Sequence, residues 1–198
     1  MPILDLFFPK KCVVCKKIGE YVCDNCFSYL SFDTKSICLA CKRPSLTGLT
    51  HPACKNRYSI DGSFSSISYN KTAQKLIYSF KNRPYVTSLE KILSELFYEG
   101  LIQNENFIKE LKRGKWTIVS VPLAKNILRK RSFNQSEILA KELGKKFNLG
   151  VSEFKGKIFE NIFLIDDFII TGSTLNEMTK VLKKEGAKRV IGLTLARD

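Results

Sequence analysis

The sequence predicts an α/β domain on a mainly parallel sheet flanked by helices, with a small cysteine-rich module ahead of it. Three observations predict it. All 7 cysteines and the only histidine fall between residues 12 and 54. From about residue 60, strand-like and helix-like segments alternate. One apolar strand, Ile162-Phe163-Leu164-Ile165, then runs into two carboxylates and a small hydroxyl-rich turn that opens a helix. The chain divides into a module over 1–58 and an α/β domain over 59–198. At 198 residues, 44% of them hydrophobic, there is material for one ordinary domain and a small accessory one.

The module comes first. Its cysteines are paired as Cys12-x-x-Cys15, Cys23-x-x-Cys26 and Cys38-x-x-Cys41, followed by His51-x-x-Cys54. Four pairs at one spacing offer eight ligands, enough for two tetrahedral zinc sites, and the two-residue gap lets a tight knuckle turn both side chains onto one ion. Disulfides fit poorly with an odd count, and a redox Cys-x-x-Cys occurs once beside a βαβ unit rather than in tandem. The gaps within each half are seven and nine residues, so sequential closure (12/15 with 23/26, 38/41 with 51/54) costs less chain entropy than an interleaved arrangement. The sequential order makes the second site Cys3His, with His51 as a ligand. Such sites are closed and structural, and ligation is the main source of folding energy for so short a segment. Lys42, Arg43, Lys55 and Arg57 are available to contact nucleic acid; the alternative is a docking platform.

The larger domain follows in order. Phe64–Tyr69 reads as a strand of period two. Thr72–Phe80 places Ala73, Leu76, Ile77 and Phe80 on one helical face, and 87–102 does the same with Leu89, Ile92, Leu93, Leu96 and Phe97. Trp116–Val121 is a buried strand that stops at Pro122. The stretch 134–147 is an amphipathic helix bearing Ile138, Leu139, Leu143 and Phe147, and a strand lies near Leu149–Val151. Strand 161–165, a loop, helix 174–185 ended by Gly186, and strand 189–195 complete the domain.

The loop between strand 161–165 and its helix carries the chemistry. Asp166 and Asp167 stand where the strand leaves the sheet, at the carboxyl end where open α/β sheets bind ligands. Thr171-Gly172-Ser173-Thr174 at a helix start offers backbone N–H groups and hydroxyls to a phosphate, with the helix dipole behind them. Gly172 lets the backbone come close. The carboxylates repel phosphate, accept hydrogen bonds from vicinal hydroxyls, and can hold a hydrated Mg²⁺ through water. A ribose 5-phosphate fits that polarity.

Charge points the same way. The chain holds 33 Lys+Arg against 19 Asp+Glu, a formal net charge of +14. That favours a polyanion (nucleic acid, a phosphorylated metabolite or an acidic membrane surface); the alternative is a merely soluble basic protein. The surplus is spread over both parts, +5 on 1–58 and +9 on 59–198, rather than drawn into one stripe. No apolar run reaches the roughly 18 residues of a membrane span. The opening MPILDLFFPKKC puts apolar residues before lysines, the wrong order for a secretion signal, so a cytoplasmic protein without membrane insertion is expected.

Ile162–Thr174 resembles the thirteen-residue signature for phosphoribosyl diphosphate (PRPP) of type I phosphoribosyltransferases. The resemblance extends to the cysteine array, Val121-Pro122-Leu123, Arg131-Ser132-Phe133-Asn134-Gln135 and Leu195-Ala196-Arg197, with Tyr69 and Phe80-Lys81 also matching. With these, the chain is similar over nearly its whole length to the competence protein F (ComF/GntX) family. That family joins a double zinc ribbon to a type I phosphoribosyltransferase domain and is associated with natural DNA uptake. The resemblance implies PRPP with Mg²⁺ as ligand, Asp166 and Asp167 as catalytic residues, and Ile170, Thr171, Gly172, Ser173 and Thr174 as the PRPP loop. It further implies a pyrophosphate loop from Ser120 to Lys125, through Val121, Pro122 and Leu123. Lys81, Arg129, Lys130 and Arg131 are basic contacts by the same token; a solvated helix entry is the alternative for the last three.

Three departures qualify it. Ser132 replaces glycine, Ile170 stands where the family has threonine, and only Ser152–Glu160 remains where related transferases carry a flexible hood. The hood excludes water during chemistry, so its shortening implies that binding can persist without turnover. Two rivals to a transferase therefore stay open. One is a non-catalytic adaptor binding single-stranded DNA or competence-machinery proteins. The other is a plain zinc-ribbon nucleic-acid binder supported by its second domain.

Overall fold

The computed structural model describes residues 9–82, 86–153 and 159–198. Residues 1–8 and 154–158, the latter within the segment where a shortened hood is expected, lie outside the described residues. Five strands form one parallel sheet: β1 (Gly62–Ser68), β2 (Thr117–Ser120), β3 (Gly150–Ser152), β4 (Asn161–Ile169) and β5 (Arg189–Arg197). Their order across the sheet is β1-β5-β4-β2-β3, which puts β4 at the centre. The helices are α1 (Asp24–Phe27), α2 (Lys71–Phe80), α3 (Val86–Ile102), α4 (Glu105–Lys112), α5 (Lys125–Arg131), α6 (Gln135–Phe147) and α7 (Ser173–Lys184), with a 3-10 turn at Pro52–Cys54.

Asparagine caps start three of these helices. Asn70 accepts the N–H groups of Thr72 and Ala73, Asn104 that of Phe107, and Asn134 that of Ser136. Helix α2 then buries Ala73, Leu76, Ile77 and Phe80, the face its spacing predicts. Helix α3 lies so close to β1 that a Cβ on Gly100 would come within 2.4 Å of the Ser66 Cβ; only glycine permits the approach.

Two cores result. On one face, α2, α3, α4 and α6 cover Phe64, Trp116, Ile118, Phe163, Ile165, Ile191 and Leu193. On the other, α7 covers Val119, Ile162, Leu164 and Val190 with Leu175 and Leu182.

The cysteine module straddles the outer edge of β1. Its Val13, Val22 and Leu30 join the first core, while Leu39 joins the second. Between them the backbone of the module pairs with the strand: Ser68 N–H donates to the Ser31 carbonyl (2.8 Å) and Ser63 N–H to that of Gly48 (2.8 Å). That cover corrects the period-two reading of this strand, because six of its seven residues are buried and both of its faces are packed. It also protects the exposed edge that a terminal strand otherwise presents.

A second correction concerns β4. The reading ended it at residue 165, whereas it runs to Ile169, because β5 keeps pairing with it through Phe168↔Ala196 and Ile169↔Arg197. The two carboxylates are therefore strand residues. Helices α4 and α5 are additions the periodicity did not predict, since α4 buries only Phe107 and Glu110 and α5 buries nothing.

Candidate functional site

The metal centres are set by local backbone. The four donors Cys12, Cys15, Cys23 and Cys26 gather at one point and Cys38, Cys41, His51 and Cys54 at another, each set within 4.8 Å. This is the sequential grouping. The Cys15 and Cys23 sulfurs lie 3.6 Å apart, close to the roughly 3.8 Å expected for two thiolates on one tetrahedral zinc. His51 turns Nδ1 towards Cys41 Sγ (3.3 Å) and Nε2 towards the Pro44 carbonyl (3.0 Å), so the second nitrogen fixes the ring and the first is free to ligate. Cys12 and Cys38 are primed as thiolates. Burial works against it, yet N–H groups from Cys15, Cys23 and Val14 bring Cys12 down to about 6. Those of Cys41, His51 and Ala40 bring Cys38 to about 7 in the same way. The donor sets fit two structural zinc ions.

The second site forms where β2 stops short. β4 is paired on both sides from Ile162 to Ile165, and the Val121 N–H adds a last bond to the Ile165 carbonyl (2.9 Å). Pro122 ends that ladder, so beyond Ile165 β4 pairs only with β5. Helix α6, between β2 and β3, packs on one face and α7, after β4, on the other. That divergence opens a crevice at the carboxyl ends of β2 and β4.

Adjacent strand residues point to opposite faces, and the two carboxylates accordingly part company. Asp166 lines a cavity of about 190 Å³ together with Phe168–Leu175, which brings it to Ile170, Thr171, Gly172, Ser173 and Thr174. Its Oδ1 accepts from Ser136 Oγ (3.1 Å) and from the Asp167 N–H (2.9 Å). Burial, reinforced by the neighbouring Asp167 charge, pushes its carboxyl up to about 7. Asp167 instead pairs with Lys81 Nζ at 2.6 Å, just past the end of α2. Phe168 stacks on Tyr69, ring centroids 4.0 Å apart.

The loop itself is open. The N-cap Gly172 (φ +70) offers no side-chain cap to α7, and the first-turn Ser173 N–H donates to Thr171 Oγ1 at 3.3 Å. Thr171 Oγ1 and Ser173 Oγ lie 3.0 Å apart on its rim, and Ile170 is 68% exposed. First-turn amides without a side-chain cap are what an anion needs.

The remaining expected residues are scaffold or surface. Val121 is buried in the second core, so it offers the crevice its backbone alone. Ser120 and Leu123 are half-buried, Pro122 and Lys125 exposed. Arg129 and Lys130 are exposed on α5, while Arg131 is half-buried and donates to Gln135 Oε1 at 3.3 Å. Asn134 caps α6 and donates Nδ2 to the Val121 carbonyl (3.0 Å). The Arg131–Gln135 segment thereby ties the Val121 turn to Asp166 through Ser136. Ser136 and the zinc-knuckle residues Leu39 and Lys42 belong to the site and were not singled out for it from sequence. Lys42 Nζ donates to the Thr171 carbonyl, and Leu39 lies against Gly172.

Residues 98–198 match the family described as phosphoribosyl transferase domain. The chain belongs to the phosphoribosyltransferase family. Ahead of that domain, residues 3–55 match a double zinc ribbon domain, to which the two donor clusters correspond. Among curated relatives, competence protein ComFC of Bacillus subtilis (strain 168) is 28% identical over 92% of this chain and 86% of its own length. Competence protein F of Haemophilus influenzae is 35% identical over 40% of this chain and 37% of its own. Amidophosphoribosyltransferase of Rattus norvegicus is 43% identical over 34% of this chain, but that segment spans only 13% of the rat protein. The carboxylates and the hydroxyl-rich turn lie within the matched residues, at the carboxyl end of β4. Among the described residues no helix is long and apolar enough to cross a membrane.

Proposed function

We propose that this chain binds PRPP or a ribose 5-phosphate with Mg²⁺ in the cavity between Asp166 and Thr171–Thr174. The observation that carries the reading is the polarity of that one cavity: a carboxylate on one wall and, on the other, an α7 N-terminus whose N-cap is the bare Gly172. Asp166 accepts hydrogen bonds from the 2- and 3-hydroxyls of the ribose, and the amides of residues 172–174 hold the 5-phosphate. Asp167, paired with Lys81 on the other face of β4, lies outside that cavity. The Asp166 carboxylate at the cavity suits a hydrated Mg²⁺ held through water, which would supply charge neutralisation on the diphosphate.

The reaction of this class is displacement at the ribose C1. An acceptor forms a new bond to C1 as the C1–O bond to pyrophosphate breaks, and the electron pair leaves with pyrophosphate. The shortened segment at Ser152–Glu160 argues for binding over turnover, which makes PRPP affinity the first property to measure.

A second reading, an adaptor for single-stranded DNA in the competence machinery, has its own observation. A groove between the first knuckle and α2 is lined by Val13, Lys16, Lys75 and Tyr78, and Tyr78 is 70% exposed. An exposed ring among lysines suits base stacking over a tracked backbone.

Calorimetric titration of the intact zinc-loaded chain with PRPP and Mg²⁺ distinguishes them. Saturable binding that Asp166→Asn weakens by on the order of tenfold or more supports the pocket, a tenfold loss being about 1.4 kcal/mol. Pyrophosphate release on adding a mixture of nucleobases then separates enzyme from sensor. Absence of PRPP binding beside steeply salt-dependent binding of single-stranded DNA, lost in Tyr78→Ala, replaces the first reading with the second.

A further inference from the structure

The two metal knuckles are copies of one another that rest on different things. Cys12-Val13-Val14-Cys15-Lys16-Lys17 and Cys38-Leu39-Ala40-Cys41-Lys42-Arg43 share residue types and backbone. In each, the lysine N–H donates to the carbonyl of the first cysteine at 2.8 Å. That cysteine's own N–H donates to the residue after the lysine, at 2.8 Å and 2.9 Å. Both lysines are left-handed, φ 70 at Lys16 and 63 at Lys42, a conformation the tight turn imposes on a residue other than glycine.

Their outward contacts diverge. The first knuckle sits on a helix: Val13 joins the helix-side core, Lys75 of α2 donates to the Val14 carbonyl (3.0 Å), and Lys16 Nζ folds back onto its own Val13 carbonyl (3.2 Å). The second sits on the phosphate loop. Leu39, 2% exposed, lies so near Gly172 that a Cβ there would meet Leu39 Cδ2 at 2.9 Å, and Lys42 Nζ reaches the Thr171 carbonyl 129 residues away.

That contact fixes the direction of one peptide. In a trans peptide the C=O and the next N–H point opposite ways. Drawing the Thr171 carbonyl to the Lys42 ammonium therefore turns the Gly172 N–H away from the knuckle. It also takes up a carbonyl that would otherwise repel an anion in the loop. Leu39 packs against the same glycine, and ligation of Cys38 and Cys41, the immediate neighbours of these two residues, ties them to the second metal site.

We propose that occupancy of the Cys38/Cys41/His51/Cys54 site and affinity for ribose 5-phosphate are linked through Leu39 and Lys42, with Lys42 a positioning residue for the Thr171–Gly172 peptide. This rests on reading the loop as a sugar-phosphate site. Linkage of this kind is reciprocal: the ion strengthens sugar-phosphate binding, and the sugar phosphate strengthens retention of the ion. The first metal site, turned towards α2, is outside the linkage.

The matched knuckles supply their own control. Ribose 5-phosphate is titrated by calorimetry into the full zinc-loaded chain as wild type, Lys42→Met, Lys42→Arg and Lys16→Met. Lys42→Met weakens binding on the order of five- to tenfold, the lower range of measured couplings, and Lys42→Arg restores it. Lys16→Met, which makes the same change at the same backbone conformation, leaves affinity at the wild-type value. A second readout follows zinc transfer to a chromogenic chelator. Ribose 5-phosphate slows release of one of the two ions in wild type and in Lys42→Arg, and of neither in Lys42→Met. Wild-type binding that all three variants retain, or sugar phosphate that leaves both release rates untouched, overturns the linkage while the pocket stands. Failure of wild type to bind overturns the pocket and the linkage together.

Discussion

Asp166 concentrates the electrostatic cost of the site. Its carboxyl is buried beside a second carboxylate and titrates near 7, against 3.8 for an exposed one. Between about pH 4 and pH 7 the folded chain thus holds a proton that the unfolded chain has released. Stability falls wherever the folded state binds more protons, so this group's contribution is greatest at the acid end and is lost as pH rises through about 7. The urea midpoint of wild type is expected to drop between about pH 5 and pH 8, and Asp166→Asn, which cannot ionise, to drop less; parallel profiles would contradict the assignment. Both acids and the turn from Thr171 to Thr174 were legible in sequence because they are contiguous with the strand that carries them. Lys42 and Ser136 were not. Their partners lie 129 and 30 residues away, and nothing local to either residue encodes that meeting.

At the scale of elements, legibility followed burial. Helices α2, α3 and α6 each lay an apolar stripe on the sheet and were read at close to their observed bounds. Helix α5 buries nothing and left no period to read. The extension of β4 through Asp166 and Asp167 was hidden for the opposite reason. Aspartate disfavours strands, and tertiary pairing with β5 overrides that preference. The α6 N-terminus has a role beyond its own helix, since the Asn134 side chain accepts from Ser136 N–H (3.1 Å) while donating to the Val121 carbonyl. Asn134→Ala removes a cap and leaves that half-buried carbonyl short of a partner, for a cost of about 1–3 kcal/mol. Asn134→Asp keeps the cap and loses only the donor, so its denaturation midpoint is expected between those of wild type and alanine. An aspartate variant no more stable than the alanine one would show that capping is not what Asn134 contributes.

Across the whole molecule, the zinc module and the transferase domain share their cores. The module clasps the outer edge of β1, sending Val13 and Val22 into the helix-side core and Leu39 into the α7-side core. Paired cysteines made the module legible as a metal binder, but its docking depended on residues scattered along the chain and could not be read from spacing. The clasp brings the second knuckle to the crevice, and the +14 surplus is distributed around the pocket lined by Asp166. Steering of an anion towards the molecule needs only that surplus, whereas its capture needs the loop. The most direct measurement of where capture occurs is the change in backbone amide resonances of the isotope-labelled full chain as ribose 5-phosphate is added. The amides of Gly172, Ser173 and Thr174 should shift most, saturably, and Asp166→Asn should weaken the response. Shifts centred on α5 or on the groove at Tyr78, with 172–174 unmoved, would contradict the account.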